Sequence, residues 1–107
     1  MSQESTDLKA QQIWQTVHAI PKGNVACYGQ IASLAGLPNC ARLVGKVLSR
    51  LPKDTNIPWF RVINSQGKIS FGIDSEAFLT QKNKLQSEGI EVSATGRIKL
   101  GRFQWKP

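Results

Sequence analysis

The chain is short of cysteine, histidine and acidic side chains, and it has no long apolar run. Cys27 and Cys40 are the only cysteines in 107 residues, too few for a disulfide scaffold. With His18 as the single imidazole, a Cys/His zinc site lacks its ligands, and no metal or other cofactor is expected. No stretch of about 18 apolar residues occurs, which argues against a membrane span. The opening residues, Met1 to Asp7, are polar and carry no signal-peptide core, so the cytoplasm is the expected compartment. Acidic side chains number 7 against 14 basic ones, a formal net charge of +7. Such an excess in so short a chain points to a polyanionic partner, nucleic acid being the commonest.

Forty per cent of the residues are apolar, and three Trp and four Phe supply large hydrophobic surfaces, enough for one modest core. A single domain over residues 1–107 is expected, with 1–6 as a loose tail and no linker, repeat or low-complexity tract. Asp7 can cap a first helix running to about His18–Ile20, with Ala10, Ile13, Trp14, Val17 and Ile20 along its inner face. Pro21-Lys22-Gly23-Asn24 breaks it. Val25-Ala26-Cys27 leads into a short helix, Tyr28 to Ala35. Gly36-Leu37-Pro38-Asn39 makes a tight connection, with Asn39 able to cap a third helix from about Cys40 to Arg50.

Two short helices joined by a glycine-containing turn form the helix-turn-helix pattern. In the second of them Leu43, Val44, Val47 and Leu48 face inward, while Arg42, Lys46, Ser49 and Arg50 lie toward the polar side. After a loop over 51–56, Arg61-Val62-Ile63-Asn64 reads as a short strand. Ser65-Gln66-Gly67 turns it, and Lys68-Ile69-Ser70 can pair back as a hairpin wing. Ser75 can cap a last helix from Glu76 to Ser87, stopped by Gly89. Residues 90–92 and 97–100 alternate weakly as terminal strands. The expected fold is therefore mainly α with a small β wing, a winged helix-turn-helix domain.

Several segments together resemble the DNA-binding domain of the O6-alkylguanine-DNA alkyltransferases. They are Ile20-Pro21-Lys22-Gly23, Tyr28-Gly29-Gln30-Ile31-Ala32, Ala41-Arg42-Leu43-Val44-Gly45, Ile57-Pro58-X-X-Arg61-Val62-Ile63 and Lys82-X-X-Leu85-X-X-Glu88-Gly89. In those enzymes Pro-Cys-His-Arg-Val holds the thiolate that takes an alkyl group from guanine. Here Trp59 stands at the cysteine's position and Phe60 at the histidine's. An indole does not accept an alkyl group by displacement under mild conditions, and Phe60 cannot relay a proton. The pattern is that of the alkyltransferase-like proteins, which bind the lesion without repairing it.

That resemblance implies minor-groove binding to duplex DNA, extrusion of an O6-alkylguanine, and presentation of the damage to nucleotide excision repair proteins by a monomer. Trp59 would floor the base pocket, with Tyr28, Pro58, Phe60 and Arg61 around it. Arg42 would fill the gap left by the flipped nucleotide, and Tyr28 would press the 3′ phosphate. Cys40, Ala41, Gly45, Ser49 and Ser65 would complete the DNA-binding face, Ala41 and Gly45 letting the helix backbone approach the groove. Arg61 is as readily an internal structural partner as a ligand-facing group. Leu51 departs from the enzymes' bracing Asn, and Ser70-Phe71-Gly72 lacks their Gly-Gly-Tyr-type lid. The rival readings are a residual alkyltransferase using Cys27 or Cys40, and a sequence-reading winged-helix transcription factor. The second is weakened by Ala41 and Gly45 standing where base-reading Gln, Asn or Arg would be wanted.

Overall fold

The computed structural model describes the backbone of residues 2–107 and the side chains from Leu8 onward. Five helices, one 3-10 turn and two short strands follow in the order α1 Ser2–His18, β1 Ala26–Cys27, α2 Tyr28–Leu34, α3 Ala41–Ser49, the turn Trp59–Arg61, β2 Val62–Ile63, α4 Glu76–Ser87 and α5 Leu100–Phe103. The mainly helical class expected from the sequence is the class observed.

The first helix begins at Ser2, so Asp7 lies inside it and not at its cap. Residues 2–6, expected as a loose tail, are its opening turns. Polarity misled here. Nothing before Pro21 is a glycine or proline, so nothing local stops the helix from reaching back. Ile13, Val17 and Ile20 are fully buried, as their spacing predicts. They pack on Ala26, Ile31, Ala32, Val44 and Val47 to form one core cluster beneath the helix-turn-helix.

The turn between α2 and α3 differs in one detail. Asn39 is not the cap of α3 but takes a left-handed conformation, φ 65°, and Cys40 occupies the cap position. Asn tolerates that conformation better than other side chains, and the tight Gly36-Leu37-Pro38 lead-in uses it to reverse the chain. At α4 the expectations hold. The Ser75 side chain accepts from the Phe78 N–H. Gly89, φ 84°, ends the helix with Gly89 N–H donating to the Gln86 carbonyl and Ile90 N–H to the Leu85 carbonyl, a Schellman arrangement.

The small sheet is not the hairpin expected. The turn exists, with Asn64 Oδ1 accepting from the Gln66 and Lys68 N–H groups at 3.0 Å. The strand before it, however, pairs in parallel with β1, Ala26 opposite Val62 and Cys27 opposite Ile63. The segment after it pairs with the C-terminal stretch, Lys68 opposite Arg97. Burial explains the choice. Val62 joins the first core, while its neighbour Ile63 joins a second core with Val25, Ile69, Phe78, Leu85 and Ile98. A strand buried on both faces belongs between two layers, not on an exposed hairpin. Gly96 closes that second core. Its φ is 86°, and a Cβ there would lie 2.6 Å from the Phe78 ring. The expected strand over 90–92 does not form. Residues 100–103, whose first member was expected to end a strand, fold as α5 and lead into Trp105, whose N–H donates to the Val25 carbonyl.

Candidate base pocket and nucleic-acid interface

Pro58 is buried and sets up the 3-10 turn Trp59–Arg61, closed by the Arg61 N–H donating to the Pro58 carbonyl at 3.1 Å. Gln81 of α4 secures the same turn. Only 2 % exposed, it donates to the Phe60 and Val62 carbonyls, each at 3.0 Å. Sequence reasoning gave Gln81 no role. Its signal was spacing, since it shares a helical stripe with Phe78 and Leu85, and a glutamine on an inward face needs a buried partner.

Arg61 is bonded within the protein, and it also lies on the lining of a cleft that Trp59 shares. Its Nε donates to both Glu88 carboxylate oxygens, Nη2 donates to Oε2, and Nη1 donates to the Ile20 carbonyl at 2.9 Å. The two side chains are 14 % and 8 % exposed. Burial by itself pushes the Glu88 carboxyl up. The Arg61 guanidinium, a hydrogen bond from the Gly23 N–H and the nearby Lys22 outweigh this and hold it below the ordinary glutamate range. The pair thus ties the pocket turn to the end of α1 and the end of α4.

Trp59 is half-buried and looks into an open cleft of about 720 Å³ between the end of α3, the 51–57 loop, the loop through Phe71, and α4. Phe60 and Phe71 stand edge-on to its indole, with ring centroids 6.1 and 6.5 Å away. Ser49, Pro58, Phe60 and Arg61 share the lining, as do Lys53 and Lys84. Of the residues expected at the pocket, Tyr28 does not line the cleft. It sits half-buried at the start of α2, its ring against Gly45 of α3.

The other DNA-binding candidates lie outside the cleft, while Ser49 also lines it. Arg42 is exposed on α3 and takes part in no hydrogen bond or ion pair found among the described side chains. Lys46, Ser49 and Arg50 are exposed along the same helix, and Ser49 Oγ donates to the Lys46 carbonyl. Ala41 and Gly45 are half-exposed, and Cys40 packs against the first core. Ser65 is exposed in the Asn64–Lys68 turn, away from the cleft. Cys27 is buried, and burial pushes its thiol up, away from a thiolate. Among the described residues no group of three or more His, Cys, Asp or Glu is placed to hold a metal, and no helix is long and apolar enough to cross a membrane.

A helix-turn-helix with a cationic second helix, beside a cleft lined in part by an indole, defines a small DNA-binding domain of helix-turn-helix type. The family model of the DNA-binding domain of 6-O-methylguanine DNA methyltransferase matches residues 9–90. A DNA base-flipping protein of Vibrio parahaemolyticus is 55% identical over 97 residues, covering 90% of this chain and 94% of its own. Alkyltransferase-like protein 1 of Schizosaccharomyces pombe is 39% identical over 100 residues, covering 90% and 93%. The crystal structure of that yeast protein with damaged DNA containing O6-carboxymethylguanine superposes with a TM-score of 0.86 at 38% identity, covering 94% of this chain and 97% of the other. The chain belongs to the family of the 6-O-methylguanine DNA methyltransferase DNA-binding domain, in its alkyltransferase-like branch.

Proposed function

We propose that this chain is a non-enzymatic reader of O6-alkylguanine in duplex DNA, which it binds from the minor-groove side and flips into the cleft against Trp59. The observation that carries the reading is Trp59 itself, a half-buried aromatic face at the floor of an open cleft where the family's enzymes carry their nucleophile. The remaining thiols offer no substitute, since Cys27 is buried with its thiol pushed up and Cys40 packs on the core.

The energetics favour the lesion at each step. O6-alkylation removes guanine's N1 proton and adds apolar bulk, so the base pairs poorly and costs less to extrude. Once out, it meets an apolar, polarisable indole. Arg42, exposed and without a partner among the described side chains, fills the vacated stack and hydrogen-bonds the orphaned cytosine. Tyr28, Ala41 and Gly45 lie along the same helix pair and bring the backbone close to the groove, while Ser49 and Ser65 supply hydroxyls for phosphates. No bond is made or broken, so the bound complex acts only by shielding or signalling. Its consumers are nucleotide excision repair proteins, and it works as a monomer in the compartment that holds the DNA, which in a cell without a nucleus is the cytoplasm.

The test is a titration of short duplexes that differ only in guanine or O6-methylguanine. The intact chain prefers the alkylated duplex. In Trp59→Ala the preference falls by roughly tenfold to a hundredfold, the worth of one base–aromatic stack, while affinity for unmodified DNA changes little. Equal binding of both duplexes by the intact chain overturns the reading and favours a sequence-reading protein.

A further inference from the structure

We propose that Lys84 makes this cleft select O6 adducts that carry an anionic group, a carboxylate above all, over neutral adducts of the same size. The inference deepens the lesion-binding reading and rests on it.

The charged side chains lining the cleft are Lys53, Arg61, Lys84 and Glu76. They are not equally available. Arg61 is fully occupied by Glu88 and the Ile20 carbonyl. Lys53 lies in the exposed loop at the rim. Lys84 is different on two counts. Its side chain is exposed like that of Lys53, but its Nζ stands 5.5 Å from the centroid of the Phe60 ring, which places the ammonium beside the aromatic wall of the cleft. It also belongs to neither ion pair found among the described side chains. The carboxylate best spaced to neutralise it, Glu88 one helical turn further on, is taken by Arg61. Glu76 lies two turns earlier on α4, about 12 Å along the axis.

Phe60 is therefore approached by two cations, Lys84 and the Arg61 guanidinium at 5.4 Å, of which, among the described side chains, only Arg61 has its counter-charge. That leaves a positive spot on the lining of a cleft walled by Trp59, Phe60 and Phe71. A purine stacked on Trp59 carries its O6 substituent in this same cleft. A carboxylate there meets a full positive charge at short range, an attraction that is modest at an exposed side chain and is screened by salt. A neutral amide of equal size gains only an ordinary hydrogen bond.

The experiment uses the full chain and three duplexes, with guanine, O6-carboxymethylguanine and its neutral isostere O6-carbamoylmethylguanine at one position. The intact chain binds the carboxymethyl duplex roughly fivefold more tightly than the carbamoylmethyl duplex, and the ratio shrinks as salt is raised. Lys84→Met keeps an aliphatic stem against Phe60 and brings the ratio to about one. Lys84→Arg preserves it. A ratio of one in the intact chain overturns the proposal. So does an equal loss on all three duplexes in Lys84→Met, which would make Lys84 a contact to the DNA phosphates. If the intact chain fails to prefer either adduct over guanine, it is the lesion-binding reading that has failed, and the proposal falls with it.

Discussion

Arg61→Ala lowers the stability of the folded domain by about 3 to 5 kcal/mol, the cost of leaving the other half of a buried ion pair without its partner. For a chain of this size that is a large share of a total of about 5 to 15 kcal/mol, and thermal denaturation moves down by at least roughly 12 °C. The reason is geometric. The guanidinium satisfies the Glu88 carboxylate and the end of α1 at once, so its loss strands a buried carboxylate and an unpaired Ile20 carbonyl. Arg61→Lys recovers only part of the loss, because an ammonium cannot make the paired contacts of a planar fork. Folded Arg61→Ala, held at low temperature, keeps its preference for the alkylated duplex. A variant that melts like the parent yet no longer tells the duplexes apart would make Arg61 a ligand contact and not a brace.

Acid attacks the same pair from the other side. Glu88 has its carboxyl held low in the folded state, so it binds protons less readily there than in the unfolded chain. Its contribution is complete above the ordinary glutamate value of about 4.3 and is lost as pH falls through the lower folded value. Denaturant melts taken from neutral pH down into that range show the parent losing stability faster than Glu88→Gln, which starts lower and has no carboxyl to titrate at this position. Parallel curves for the two proteins would remove Glu88 from the account.

Arg42→Ala weakens binding to the alkylated duplex by roughly tenfold to a hundredfold and leaves folding within about 0.5 kcal/mol of the parent. The asymmetry follows from its setting, an exposed position on α3 with no partner found among the described side chains. Charge and shape are separable here. If Arg42 only neutralised a phosphate, Arg42→Lys would restore binding and the salt dependence with it. If it occupies the stack and pairs with the orphaned cytosine, lysine fails, because it has neither the plane nor the fork. A fluorescent base analogue opposite the lesion reads the same event directly, since the space vacated by the flipped base closes without the guanidinium. Full rescue by lysine would reduce Arg42 to one more member of the cationic face of α3.

The helices were legible because their signals are local. Ile13, Val17 and Ile20 recur at helical spacing, Ser75 caps α4 and Gly89 stops it, and each feature lies within a few residues of the structure it sets. Pro58, Trp59 and Phe60 were assigned to the pocket through resemblance, and because they are consecutive their turn carries all of them to the lining of one cleft. Tyr28 was assigned to the pocket through resemblance, and no local signal bears on where its ring points. In the folded chain it packs at Gly45.

Sequence alone determined a basic, mainly helical chain with a helix-turn-helix and an indole in place of a thiolate, because composition and short-range spacing are written within single segments. Only the tertiary structure decided that β2 pairs with β1, that Gln81 braces the pocket turn, that Arg61 belongs to Glu88 and that Lys84 has no acid partner among the described side chains. The first three of those choices join segments about 20 to 40 residues apart, where loop closure is cheap enough for several partners to compete, and the fourth follows from the third. What selects among them is the burial of Val62 and Ile63 in two different cores, and the need of every buried polar group for a partner.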